Sequence, residues 1–423
     1  MKICLFYEDT KYSDKAYIYP ENGNDGMAGT QYEYALLGKF LSINYSNDEI
    51  YMVHSETNKM YPKVKSYIYK NVDDAFQYFK NEKIDVVVYT VGQTDEWYKM
   101  LEDYDYNIPF IAWDHNHISY SELLNLRKSN KVKRIVCCGK ELYDMYIDDE
   151  IIKKMTYIFN MLDFNMYPQR DTEVENNVVF LGAITPQKGF HILAKEWKNI
   201  VQKVPNAQLY VAGTGALYNK DNALGKYGIA EQSYEDRFIP YLVDKKGRVL
   251  SSVHFLGVVD YEGKKRLFKN AKVGIVNPSG KTECCSISTL EFASAGVPVA
   301  TSGSYGLLDT VKDMETGLLS RSNEKFCKNV IRLLSDDELN ERLSRNGKQF
   351  VKEYFQPNVI IKEWHKMIED VVNGIPAKIS VPKDNLTNRM KWIRLVNYYI
   401  KKIWVFRNFP SMMDYNNFRR IIK

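Results

Sequence analysis

The chain has 423 residues, longer than a single hydrophobic core usually supports, so two domains are the first expectation. Hydrophobic residues at 45% and charged residues at 26% are ordinary globular values and exclude fibrous, low-complexity and disordered classes. The net charge of +5 is unevenly spread: eleven Lys/Arg and two Asp/Glu lie from Gly374 onward, leaving 47 basic against 51 acidic residues before it, which argues against a nucleic-acid-binding body.

The opening MKICLFYEDT has too short an apolar run before Glu8 and Asp9 for a secretory signal, and no later run approaches a membrane span. The six cysteines form neither a CxxC pair nor a Cys/His cluster, so they read as reduced thiols of a cytoplasmic protein, with no metal site expected. Strand-like apolar runs alternate with amphipathic helical segments, a pattern of parallel sheets covered by helices. In the first half the strands are KICLFY, IDVVVYTVG, IPFIAW, KRIVCC and MTYIFN, with QYEYALLGKFLS and DDAFQYFKNEK as helices between them. After the polar stretch DTEVENN the pattern restarts with NVVFLGA, AQLYVAG, VHFLG, KVGIVNP and VPVATS.

This pattern predicts an α/β chain of two Rossmann-like domains, residues 1–170 and 171–356. A closing helix follows over 357–373, packing back toward the first domain, and then a basic tail over 374–423. A ligand is expected at the carboxyl ends of the parallel strands.

The chemistry concentrates in NPSGKTECCSISTLEFASAG, residues 277–296. Ser286, Ile287 and Ser288 lie where a loop becomes a helix, with Ser286 as N-cap and Gly296 at the exit. A helix start presents free N–H groups and a positive dipole end, a site for a pyrophosphate. Glu283 and Glu291 flank that start. Carboxylates accept hydrogen bonds from hydroxyls rather than binding phosphate, so the expected ligand carries hydroxyls on both sides of its pyrophosphate, the layout of a nucleotide sugar.

Pro278-Ser279, Glu283, Glu291, Ala295-Gly296, Pro298-Val299 and TGLL at 316–319 resemble, in that order, the nucleotide-sugar signature of glycosyltransferase family 4, which has the GT-B fold. VVFLGAITPQKGFHIL, with Gly182, and PNAQLYVAGTG, with Gly213, are similar to the opening loops of the family's second domain. GMAGTQYEYALLGKFL, IPFIAWDHNH and IFNMLDFNMY are similar to first-domain pieces, and the likeness runs to about residue 372.

The resemblance implies a retaining, metal-independent transfer. Lys188 occupies the place of the Lys that neutralises the departing diphosphate, a role a fixed cation fills best where water is excluded. His115 resembles the His that contacts the donor sugar near its reacting carbon, with His117 and Asp114 as lower-ranked neighbours. Glu283 would bind donor-sugar hydroxyls and Glu291 the ribose. Gly29 and Thr30 would turn backbone N–H groups toward the phosphates. Asp309 stands where the family often has Glu, and Ala183 replaces a usual Arg. No cofactor is implied beyond the donor, for which a UDP-sugar is favoured, and the acceptor would be a saccharide or lipid-linked saccharide of a bacterial cell surface. The competing readings are a GT-B nucleotide-sugar epimerase and a non-catalytic scaffold.

In the tail, helical spacing over residues 388–406 sets Trp392, Val396, Tyr399, Ile400 and Ile403 on one face, with Arg394, Lys401 and Lys402 toward the other. Either that helix contacts an anionic membrane from the cytoplasmic side or its apolar face packs on the protein.

Overall fold

A computed structural model describes residues 1–8, 16–17, 20, 23, 29–55, 59–217 and 223–422. The chain divides into two compact units: residues 29–160 and 357–423 belong with the N-terminal strand to unit 1, and residues 161–356 to unit 2.

Unit 1 is built on seven parallel strands: β1 Lys2–Phe6, β2 Glu49–His54, β3 Lys65–Ile68, β4 Val86–Thr90, β5 Phe110–Asp114, β6 Val132–Cys137 and β7 Met155–Tyr157. Their spatial order is β3-β2-β1-β4-β5-β6-β7. The central strands VVVYT and FIAWD are buried almost throughout, which is why they read as continuous apolar runs. Sequence reasoning passed over β2 and β3. In β2, EIYMVH mixes Glu and His into its apolar run, and the edge strand KSYI is largely exposed and so carries no such run.

Unit 2 repeats the design with β8 Asn177–Leu181, β9 Gln208–Ala212, β10 Val253–Gly257, β11 Val273–Val276, β12 Val299–Ser302 and β13 Gly317–Ser320. The order is β10-β9-β8-β11-β12-β13, with every pair parallel. A core centred on Phe180, Phe190, Trp197, Leu209, Ile275 and Leu333 fills the space between this sheet and its helices. In both sheets the strand order reverses beside the first strand, between β1 and β4 and between β8 and β11. Such switch points open a crevice at the carboxyl ends of the strands.

The division falls at Asn160/Met161, earlier than the polar stretch suggested. Residues 161–170 are held by unit 2: the Leu162 N–H donates to the Phe355 carbonyl at 2.8 Å and the Arg170 N–H to that of Ala295 at 2.9 Å. The helix Pro357–Val372 returns to unit 1, where it packs on the helix Gly29–Asn44 and sets Trp364 edge-on to Trp113 at 4.5 Å.

The tail departs from the single helix expected over 388–406. Arg389 and Met390 take left-handed backbone angles, the helix runs only over Lys391–Ile400, and Ile403 is extended. Its faces are also arranged differently from the packed alternative. The polar side is turned inward: Lys391 Nζ lies 2.8 Å from Glu141 and 3.1 Å from Asp144, and Arg394 lies 3.5 Å from Asp148. Lys401 donates to the Asp148 carbonyl at 2.6 Å. Burial lowers the Lys391 ammonium, but Asp144 and Glu141 outweigh it and hold it above the usual lysine range. Trp392, Val396 and Tyr399 of the same helix face solvent, while Ile393, Leu395, Tyr398 and Ile400 are partly buried. No helix among the described residues is long and apolar enough to cross a membrane.

Candidate functional site

In unit 2 the two loops at the switch point bring Lys188 and Glu283 together. The loop after β8 turns at Thr185, whose carbonyl accepts from both Lys188 and Gly189 N–H groups at 3.1 and 3.2 Å. Gly189 has φ 72°, and a Cβ there would lie 2.7 Å from the Ser279 backbone nitrogen, so only glycine lets the two loops close on each other. Ser279 completes the contact by donating to the Gln187 carbonyl. The loop after β11 carries left-handed, non-glycine residues at Asn277 and Thr282, with φ of 40° and 61°. A β-branched residue in that region is strained, a feature that concentrates at functional sites.

The charged ends meet at 2.8 Å between Lys188 Nζ and Glu283 Oε2, and the same oxygen accepts from Asn277 Nδ2 at 2.8 Å. Burial raises the Glu283 carboxyl, but Lys188 and Asn277 together outweigh it and hold the group below the usual carboxylate range. Glu283 is therefore an ionised acceptor at neutral pH, poised for hydroxyl donors, beside a cation poised for an anion. Asn277 is the residue of this cluster to which the motif reading gave no role; its position directly after β11, at the switch point, was the available signal.

Beyond Glu283 the chain enters the helix Ile287–Ser294, and Ser286 is its N-cap as expected, its Oγ accepting from Thr289 N–H at 3.4 Å. The N–H groups of Ile287 and Ser288 belong to the first turn, which has no intrahelical acceptors for them. Glu291, one turn on, is only 3% exposed, so it is not a solvated helix residue. Its Oε1 accepts from Tyr167 Oη at 2.6 Å and from Lys264 Nζ at 3.1 Å. Neither partner carries a spacing signal, since one precedes β8 and the other lies on the helix Tyr261–Lys269.

Gly182 and Gly213 end β8 and β9 side by side: a Cβ on Gly213 would collide with the Gly182 carbonyl oxygen, so this pair of turns needs glycine at 213. Ala183 is buried beside them, without a cation of its own. Asp309 is buried in the short helix Leu307–Thr310, whose preceding Gly306 N–H donates to the Glu283 carbonyl at 3.0 Å.

In unit 1, His115 stands one residue past β5, its ring tilted by 43° to that of Trp113 at a centroid distance of 4.4 Å. Both of its ring nitrogens are shielded from solvent with no hydrogen-bond partner among the described residues, and burial lowers its pKa to about 3. It is thus a neutral imidazole with an unused donor and an unused acceptor. It lines a cavity of about 310 Å³ with Thr90, Gln93, Asp114, His117 and Glu122. Asp114 is fully buried, and burial raises its carboxyl well above the usual range. His117 lies 2.9 Å from the Arg389 guanidinium, and burial followed by that cation lowers its pKa to about 4. Gly29 and Thr30 form the first turn of the helix Gly29–Asn44, while Gly26, Met27 and Ala28 of the same Gly-rich loop lie outside the described residues. The cations and carboxylates of the donor reading thus gather in unit 2, and the histidines gather in unit 1.

Residues 167–350 match the family described as glycosyl transferases group 1. That segment, under half of the chain, is similar to a glycosyltransferase group 1 domain. The matched segment holds Lys188, Glu283, Ser286 and Glu291 together. An uncharacterized glycosyltransferase of Methanocaldococcus jannaschii is 30% identical over 191 residues, covering 45% of this chain and 43% of that protein. The capsular polysaccharide biosynthesis glycosyltransferase CapM of Staphylococcus aureus is 24% identical over 211 residues, 49% of this chain and 50% of CapM. The chain thus spans about half the length of the curated relatives it matches. Among solved structures, Anabaena HepE in complex with UDP and glucose matches with a TM-score of 0.62 at 13% identity, over 87% of this chain and 99% of HepE. The fold class, two Rossmann-like parallel-sheet units, is that of GT-B proteins.

Proposed function

We propose that the protein is a retaining glycosyltransferase of family 4 that moves a sugar from a nucleotide donor, a UDP-sugar in the favoured case, to a hydroxyl of a saccharide or lipid-linked saccharide. The observation that carries this reading is the meeting of Lys188 and Glu283 at 2.8 Å at the switch point, in a loop that leads into the Ser286-capped helix. The first turn at Ile287 and Ser288 would receive the diphosphate, and Lys188 would turn from Glu283 toward it as negative charge builds on the leaving group. Glu283 would then accept from donor-sugar hydroxyls and Glu291 from the ribose. Neutral His115 would offer a hydrogen bond to the sugar from unit 1. The leaving phosphate takes the acceptor proton, and the enzyme supplies orientation and charge stabilisation with no metal and no further cofactor.

The HepE complex with UDP and glucose supports the choice of donor, and the name of CapM supports a role in bacterial cell-surface polysaccharide synthesis. The place of action in this reading is the cytoplasm, at the inner face of an anionic membrane. The test is product analysis with a UDP-sugar panel and oligosaccharide acceptors. The expected result is acceptor-dependent release of UDP with an anomerically retained product. A free epimerised nucleotide sugar formed without acceptor would contradict transfer.

A further inference from the structure

The helix Lys391–Ile400 buries both of its cations, Lys391 and Arg394, and exposes Trp392, Val396 and Tyr399, the reverse of an ordinary surface helix. Lys391 is 1% exposed, whereas Trp392, Ile403, Trp404 and Phe409 are 53%, 55%, 75% and 52% exposed. Val396 and Tyr399 share the helical face of Trp392, and the run continues through Val405 and Phe406. So many large apolar side chains next to one another in water call for a partner.

The charges around the run identify it. Lys402 and Arg407 are exposed within it, Lys402 over the Tyr398 ring at 4.6 Å and Arg407 over that of Trp404 at 5.9 Å. The one carboxylate between Lys391 and Arg419 is Asp414, which is taken up by Arg127 at 2.9 Å and Tyr120 at 3.0 Å. Trp, Phe, Ile and Val interleaved with cations and cleared of free carboxylates match the boundary between lipid headgroups and acyl chains.

We propose that the run from Trp392 to Phe409 docks on the surface of an anionic lipid bilayer. Apolar insertion carries the affinity and Lys402 and Arg407 meet the headgroups, because Lys391, Arg394 and Lys401 are already committed to unit 1. The docking extends the lipid-linked acceptor of the proposed function, on which it rests only for its purpose: Arg389, three residues before Trp392, holds His117 at the cavity lined by His115, so the inserted run begins beside that cavity.

Flotation of the full chain with vesicles of equal parts phosphatidylglycerol and phosphatidylcholine tests this without reference to transfer. Binding should persist in 1 M salt, where the screening length falls to about 3 Å, and Trp404→Ser with Phe409→Ser should weaken it by tenfold or more. Both positions are exposed, so an unchanged melting temperature verifies that the double variant is folded. Loss of all binding in high salt, or equal binding by the double variant, overturns the proposal. So does a vesicle-free dimer that the same variant dissolves, because a second copy of the chain would then be the partner. Nucleotide binding in unit 2 is measured separately, so failure of docking and failure of the transferase reading are distinguishable.

Discussion

The contact between Lys188 and Glu283 sets the pH behaviour of the unit 2 site. Glu283 is held below the ordinary carboxylate value of 4.5, so the stability and acceptor capacity it contributes are present above 4.5 and are lost as pH falls through its lower folded value. Lys188→Met removes the larger part of the offset and leaves only the Asn277 hydrogen bond against burial. The acid limb of donor binding should then move upward, read by titrating UDP-sugar affinity against pH; an unmoved limb would show that Lys188 does not control Glu283. Glu283→Gln should reduce kcat by about 10²–10³, as for removal of a preorganised polar group, while UDP still binds. His115 obeys the same sign rule in unit 1. Its pKa of about 3 lies below the ordinary 6.5, so its contribution to stability is present above 6.5 and drains away toward pH 3. Substituting His115 by Asn should flatten the acid-side decline in melting temperature across that window, and a profile parallel to wild type would contradict its burial as a neutral ring.

At the scale of elements, the loops after β8 and β11 form one device that depends on Gly189. Gly189→Ala places a methyl against Ser279 and forces a left-handed backbone, at a cost of about 1–2 kcal/mol, and it displaces Lys188. Activity should fall more steeply than stability, as measured by transfer rate beside a urea melt. The helix Ile287–Ser294 was legible because its signals are local: an N-cap serine, a glycine exit and a carboxylate one turn in. The partners of Glu291 were not, since Tyr167 and Lys264 reach it from distant segments whose spacing follows from tertiary packing alone. The same contrast holds for the strands. Buried central runs such as VVVYT announce themselves, while the exposed edge strand KSYI has no apolar run to read.

For the whole molecule, two Rossmann-like units follow from the restart of the strand pattern, but the exact division depended on hydrogen bonds from residues 161–170 that composition does not encode. The tail shows the limit most clearly. Helical periodicity sets Trp392, Val396 and Tyr399 apart from Arg394, but it misplaces Lys402, which is exposed among the apolar residues, and which face turns inward was decided by Glu141, Asp144 and Asp148, far away in sequence. Removing Lys391 with a Met substitution leaves Glu141 and Asp144 buried without it, and should destabilise unit 1 by about 3–5 kcal/mol in a denaturant melt. The central claim, that unit 2 holds a nucleotide sugar at Lys188, Glu283 and the Ser286-capped helix, is tested most directly by the melting behaviour of the full chain with a panel of nucleotides and nucleotide sugars. At about 100 times its dissociation constant the true donor should add about 2.7 kcal/mol of stability, whereas a chain whose melt no member of the panel shifts would contradict the claim.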